Sequence, residues 1–321
     1  MTRATRRTAI RLLAAFACLT SAVTICGTSA RAEGPDTDVT IGYTSSTDSV
    51  GLFVAMEQGF FKKHHLNAKL QLISLNSVLP AALQSNSVQI AGPSVSVVLQ
   101  AVENGLDLVA LCGGASTSRD ATNYAVLAGA KSGVGSPDDL GGKKIGVPGL
   151  GATLHILGRE WLNGRGVDYH KVTFIEVPFP QMNDVLKAGT VDAVISADPM
   201  TARILESGNG KLLSYFLKDV PTGLPTSLYS ATRTWAKANP QAVTEFREAL
   251  QEASDFIQAN PDQARAAVSK YIKFPPEILA KTYLPKIVVA LTPDRIDWWM
   301  KVMVEQEMLK NPPSTQALLN P

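Results

Sequence analysis

Residues 186–199 read LKAGTVDAVISADP, and 103 positions earlier residues 83–93 read LQSNSVQIAGP. Both stretches describe the same object. An amphipathic helix closes on a leucine (Leu83, Leu186), small residues turn the chain (Asn86 and Ser87 in one, Gly189 in the other), and a short apolar strand follows. The strands are read as Val88 to Ala91 and Val191 to Ile195, and each leads to a Pro-marked loop. Each loop opens a further helix that ends in a polar-plus-Gly stop, VSVVLQAVENG after Ser94 and TARILESG after Met200. Self-similarity at a single spacing means one structural unit used twice, and two copies point to a duplicated domain rather than a solenoid.

Outward from these units, strands and helices alternate. Val39 to Tyr43 reads as a strand, Val50 to Gln58 as a helix stopped by Gly59, Ala68 to Ile73 as a strand, and Val78 to Gln84 as a helix. Further strands are expected at Asp107 to Cys112, Asn123 to Gly129, KKIGVP and VTFIEV, with helices at Thr153 to Leu162 and Met182 to Lys187. Such alternation predicts an α/β fold with mostly parallel sheets and crossover helices on both faces. Ser227 to Trp235 gives one more strand and turn. Beyond it the chain is nearly all helix, with Asn239-Pro240, Asn260-Pro261 and Thr292-Pro293 as start signals. In PDRIDWWMKVMVEQEML, Ile296, Trp299, Val302 and Met303 share one helical face and read as core.

Residues 1–32 are set aside as a signal peptide: Arg3, Arg6, Arg7 and Arg11, then an uncharged run, then the small-x-small pattern Ala30-Arg31-Ala32. The apolar run is broken by Thr, Ser and Gly and is short for a membrane anchor. Neither Cys18 nor Cys26 has a lipoprotein context, so a soluble periplasmic product is expected. Arg6-Arg7 leaves the choice between general and twin-arginine export open. Five of the 30 basic residues lie in this leader and none of the 28 acidic ones, which leaves a net charge of about −3. That balance speaks against nucleic-acid binding. Only Cys112 remains after cleavage, so no internal disulfide is available. The division expected is 33–124 plus 226–321 as one lobe, with the C-terminal helices, and 125–225 as the other. Two crossings, near 122–127 and 222–226, would form a hinge around a cleft.

In open α/β sheets ligands bind beyond the carboxyl ends of strands. The residues there are rich in hydroxyls and glycine: Thr44 to Ser49, Asn76-Ser77, Gly92 to Ser96, Gly149 to Thr153, Pro178 to Asn183, and Asp198 to Met200. Each Ser, Thr or Asp can be read as the cap of its own helix. Six such positions on two matched units argue together for an anion held at helix N-termini. Each helix end contributes roughly 0.3–2 kcal/mol against the roughly 8 kcal/mol of micromolar binding, so direct hydrogen bonds and a dry cleft must share the work. Arg119, near the first crossing, is the candidate for a direct ionic contact. His155 reads as packed or solvated. The pair His64-His65 lacks metal-ligand spacing, and no GxSxG, P-loop or HExxH is present. GVPGLGATL lacks the third Gly of a dinucleotide fingerprint, so no cofactor and no metal are expected.

The stretch IGYTSSTDSVGLFVAMEQGFFKKHHLNAKLQLI, followed in order by the first repeat motif, SPDDLGGKKIGVPGLGATLHILGREWL, the second repeat motif and WAKANPQAVTEF, resembles the periplasmic substrate-binding proteins of ABC importers for aliphatic sulfonates, taurine, nitrate and thiamine-precursor pyrimidines. The likeness covers nearly all of the chain after the leader. It implies the two-lobed type II periplasmic-binding-protein fold and a monomer. It also implies a small-molecule solute, and delivery of that solute to the transmembrane subunits of a permease. Carried over by position, the ligand contacts implied are Ser45, Ser46, Thr47, Asp48, Ser49, Ser77, Ser94, Ser96, Gly114 to Thr117 (with Ser116), Gly151 to Thr153, and Asp198. Family members often carry an aromatic before the Asp-Pro, whereas here Ser196-Ala197 precedes Asp198, which puts an aromatic clamp in doubt. The Cys-rich signature of the fungal pyrimidine-synthesising enzymes of this fold is absent. The expected solute is a small organic anion or zwitterion, sulfonate-like or aromatic-carboxylate-like. The alternatives are a thiamine-precursor pyrimidine, an exported enzyme using Asp48 and Asp198 as an acid/base pair, or a ligand sensor for a membrane signalling protein.

Overall fold

The computed structural model describes residues 36–320, so the signal-peptide reading at 1–32 lies outside the described residues. The first repeat unit runs β1 (Thr37–Tyr43), α1 (Val50–Glu57), α2 (Phe60–Lys63), β2 (Leu66–Leu72), α3 (Leu79–Gln84), β3 (Ile90–Ala91), α4 (Val95–Glu103) and β4 (Leu108–Gly113). A crossing leads to β5 (Tyr124–Gly129). The second unit follows as β6 (Lys144–Val147), α5 (Thr153–Asn163), β7 (Thr173–Glu176), α6 (Met182–Ala188), β8 (Ala193–Ala197), α7 (Met200–Glu206) and β9 (Gly210–Tyr215). A second crossing enters β10 (Leu228–Thr232). The tail is helical: α8 (Arg233–Ala238), α9 (Pro240–Ala259), α10 (Pro261–Tyr271), α11 (Pro276–Lys281), α12 (Pro293–Glu305) and α13 (Thr315–Leu319).

Two five-stranded sheets result, in the orders β2-β1-β3-β10-β4 and β7-β6-β8-β5-β9. The orders match strand for strand. In each sheet four strands run one way, and the opposed strand, β10 or β5, is the one that arrives from the other sheet. Crossover helices force parallel pairing within a unit, whereas a strand entering along a crossing is free to run the other way.

The repeat holds down to single bonds. Asn86 (φ 57°) and Gly189 (φ 70°) occupy the same left-handed turn position. Gln89 Oε1 accepts from the Thr40 amide at 2.9 Å, and Asp192 Oδ2 accepts from the Lys144 amide at 2.8 Å. Ile90 pairs with Ile41 as Ala193 pairs with Ile145. In both copies a side-chain acceptor immediately before the short strand thus takes a backbone N–H of the neighbouring parallel strand, β1 or β6.

Both sheets are covered on both faces. Val39, Ile41, Leu52, Phe53, Phe61, Phe246 and Leu250 form the core under α1, α9 and α10. Leu127, Met182, Leu186, Val194 and Ile204 fill the outer side of the second sheet. A third cluster runs through both halves, from Leu79 and Val98 to Tyr124, Ile156, Trp161 and Trp299. Trp299 also donates from Nε1 to the Pro225 carbonyl at 2.9 Å, which binds α12 to the second crossing.

Several expectations need correction. β3 begins at Ile90 because the Val88 amide closes the preceding turn on Ala82 O. Asn239 and Asn260 do not cap the helices they precede; their amides reach back to the Trp235 and Phe256 carbonyls and finish the helix before. Thr292 likewise makes no side-chain cap. The stretch after Thr232 is helical, with Thr232 Oγ1 accepting from the Trp235 amide at 3.2 Å. Strand β9 was not legible, since an edge strand of mixed exposure carries no clean period.

The paired turns give a test. A Cβ at Gly189 would meet nothing within 4 Å, so Gly189→Ala carries only the left-handed backbone cost, about 1–2 kcal/mol. Asn86→Gly should change stability by no more than about 0.5 kcal/mol. Urea denaturation of both variants measures the difference.

Candidate functional site

The carboxyl ends of the parallel strands of both sheets converge on one cavity. After β1 come Thr44, Ser46 and Asp48; after β2, Ser74 and Asn76; and Ser94 opens α4. The second unit contributes Pro148 after β6, Ala152, Thr153 and Leu154 at the start of α5, Phe179 after β7, and Tyr124 at the head of β5. The cavity volume is about 30 Å³, room for one or two water molecules.

Local chemistry fixes the rim. Ser46 accepts from the Asp48 amide at 3.2 Å and caps a single 3₁₀ turn, Thr47–Ser49. The Ser94 amide donates to Asn76 Oδ1 at 2.7 Å. Thr153 Oγ1 donates to the Thr226 carbonyl at 2.6 Å. The Gly151 amide donates to His155 Nδ1 at 2.9 Å, and His155 stands edge-on to Phe174. Burial, with Arg159 nearby, lowers His155 to about 3, so it is a neutral packing residue.

Asp48 is the charged group of this lining. Its Oδ2 accepts from the Tyr124 hydroxyl and from Thr226 Oγ1 at 3.2 Å, while its Oδ1 is shut from solvent without a hydrogen-bond partner. Burial raises its pKa to about 6, and the bonds from Tyr124 and Thr226 pull against that rise. Asp198 is buried, at 6% exposure, but lies outside the lining. Its Oδ2 accepts from the Tyr283 amide at 3.1 Å, and its carbonyl takes the Thr47 amide at 3.3 Å and the Thr47 hydroxyl at 3.4 Å. Burial raises its pKa to about 7, against the backbone bonds from Tyr283 and Ala202. The two carboxylates therefore serve separate networks and do not face one cavity as an acid/base pair.

Of the residues expected at the site, Ser46, Asp48, Ser94 and Thr153 line the cavity. Ser45 is half-buried beside them, and Thr47 holds Asp198. Ser77 is exposed and donates to Glu176 Oε1 at 3.1 Å; Glu176 Oε2 accepts from the Leu150 amide at 3.1 Å, tying the two units together. Ser96 is buried within α4 with an unpartnered hydroxyl. Gly114 is where a Cβ would come 2.5 Å from Ser227 Oγ, and Ser116 donates to the Lys286 carbonyl at 3.0 Å. Gly151, at φ +77°, lets the loop pass Gln100 of α4. Arg119 is exposed and outside the lining.

Tyr124 and Thr226 were missed as site residues. Their signal was position: both sit on the crossings and carry hydroxyls. Tyr124 also supplies what Ala197 lacks, because the two residues pair directly between β5 and β8. The aromatic beside the Asp-Pro comes from the neighbouring strand.

The family described as NMT1/THI5 like matches residues 46–264, more than half of the chain, and the chain belongs to it. It is a family of periplasmic binding proteins rather than of catalysts. A protein named as a binding protein in Brucella abortus (strain 2308) is 24% identical over 260 residues, which cover 78% of this chain and 79% of that one. A protein named for thiamine biosynthesis in Haemophilus influenzae is 28% identical over 232 residues, covering 70% of this chain and 69% of its own. Among solved structures, the alkanesulfonate-binding protein from Xanthomonas axonopodis pv. citri bound to MOPS superposes with a TM-score of 0.76. It does so at 19% identity, over 89% of this chain and 99% of that one. The shared fold is the type II periplasmic-binding-protein fold.

Asp198 generates a pH test. Folded, it holds its proton up to about pH 7 against an ordinary 3.8. Between those values the folded state binds the extra proton, so stability falls as pH rises through the window and is regained on acidification. His155 acts oppositely, losing its contribution below 6.5, but is common to wild type and variant. The wild-type Tm should therefore gain on that of Asp198→Asn between pH 8 and pH 5, by about 2–4 °C for each kcal/mol recovered. Paired thermal melts check it.

Proposed function

We propose that this family member is the solute-capturing subunit of an ABC importer. It would bind one small polar organic solute, an anion or zwitterion, between two hinged lobes, 33–124 plus 226–321 and 125–225, and present it to the permease. The observation that carries this reading is the cavity. Hydroxyls and helix starts from both repeat units meet there, yet its volume of about 30 Å³ is far below the roughly 300–1,000 Å³ of a ligand pocket. A solute can enter only if the lobes part, and burial between them on closure is what makes such a receptor tight.

The first turns of α4 and α5, beyond the Ser94 amide that Asn76 holds, have no side-chain cap and offer N–H donors for an acid group. A sulfonate suits that arrangement, as the name of the Xanthomonas relative suggests. A pyrimidine is the second reading, favoured by the Haemophilus relative's name and by the acceptor at Asp48. A thermal-shift panel of alkanesulfonates, aromatic carboxylates and pyrimidines tests the class. A ligand at about 100 times its Kd should stabilise by roughly 2.7 kcal/mol, and a flat response across all three would refute it.

The Ser77–Glu176 bond is proposed as part of the closed-lobe contact. Ser77→Ala should remove about 0.5–1.5 kcal/mol from the closed form, and so speed release of a bound solute roughly two- to tenfold by stopped flow.

A further inference from the structure

We propose that Asp48 is the specificity-determining carboxylate of the cleft. Its free Oδ1 accepts a hydrogen bond from a nitrogen of the solute, either a protonated amine or an N–H on a ring. The receptor thereby selects nitrogen-bearing solutes over anions of the same size that lack the nitrogen. This deepens the receptor reading above and rests on it, because it decides between an anion and a solute with a positive or donating end.

Three observations carry the inference. Oδ2 accepts from the Tyr124 hydroxyl and shares the Thr226 hydroxyl with the Ala115 carbonyl, whereas Oδ1 is buried and has no donor. A carboxylate oxygen taken out of water without a donor costs stability, and a solute donor arriving in the cavity would supply that missing bond. Around it, the polar lining consists of hydroxyls and amide groups, among them Thr44, Ser46, Asn76 and Ser94, and no Lys, Arg or His belongs to it. A simple anion would therefore approach a like charge with only helix ends to compensate. Finally, the two residues that orient Asp48 sit on the two chain crossings, Tyr124 heading β5 and Thr226 just before β10. Tyr124 and Thr226 are positioning residues. A solute that pulls on Asp48 is thereby read by both strands that join the proposed lobes. Tyr229, buried near Asp48, feels the same charge.

The experiment is calorimetry on the whole secreted chain with three matched pairs of probes. These are 2-aminoethanesulfonate and 1-propanesulfonate, 4-aminobenzoate and 4-methylbenzoate, and 4-aminopyrimidine and 4-methylpyrimidine. The expected result is that the amino member of at least one pair binds about tenfold or more tightly than its partner. Asp48→Asn should collapse that ratio to about threefold or less, and Tyr124→Phe should reduce it partway while leaving the charge in place. If the methyl or propyl members bind as well as or better than the amino members, the inference on Asp48 is overturned and the receptor reading stands. If no probe binds, both fail. An Asp48→Asn protein that folds and keeps the wild-type preference also overturns the role of Asp48. The wild-type ratios alone remain decisive should that variant not fold.

Discussion

Neither sheet of this protein is complete without a strand delivered from the other. β5 follows the first unit yet lies in the second sheet between β8 and β9, and β10 follows the second unit yet lies in the first sheet between β3 and β4. Both exchanged strands are buried, and both run against their neighbours. Pulling one out would leave a row of unpaired backbone groups on each side, which is why such a strand behaves as a fixed member of the sheet it enters. The exchange also brings the two crossings side by side, with Tyr124 and Thr226 reaching the same carboxylate.

From that constraint the character of the cavity follows. Duplicated units joined by an exchange face each other with their strand carboxyl ends, where helix starts and short polar loops collect. Two aspartates are drawn into this dry region and held close to neutral pH by burial, one with a hydroxyl pair and one with backbone amides. Their roles separate by what surrounds them. Asp198 has its backbone tied to Thr47 and its carboxylate to Tyr283, so it stitches the units together. Asp48 has one buried oxygen without a partner. The volume between the units is small, and the Ser77–Glu176 bond lies at their margin.

Much of the fold was legible because it was written twice. Leu83 and Leu186, Asn86 and Gly189, and the two short strands kept both identity of type and spacing, and local geometry demanded it of them. A left-handed turn accepts Asn or Gly, and a helix end needs its leucine in the core. The lining of the candidate site was legible in part for the same reason: Ser46, Asp48, Ser94 and Thr153 stand at strand ends and helix starts. Arg119 was singled out by its charge and its place near the first crossing, and neither says which way its side chain faces. Tyr124 and Thr226 were passed over because their importance is to each other's partner, more than 70 residues from either.

By itself, then, the sequence determined the α/β class, the duplication and the polar character of the strand ends, since periodicity, turn chemistry and repeat spacing are local properties of the chain. The tertiary structure alone decided the direction of the exchanged strands, the edge position of β9, the backward-facing caps at Asn239 and Asn260, and the gathering of Asp48, Tyr124 and Thr226. Those features depend on contacts between residues far apart in the chain, where no local preference distinguishes one pairing from another and only the packing of the two sheets selects it.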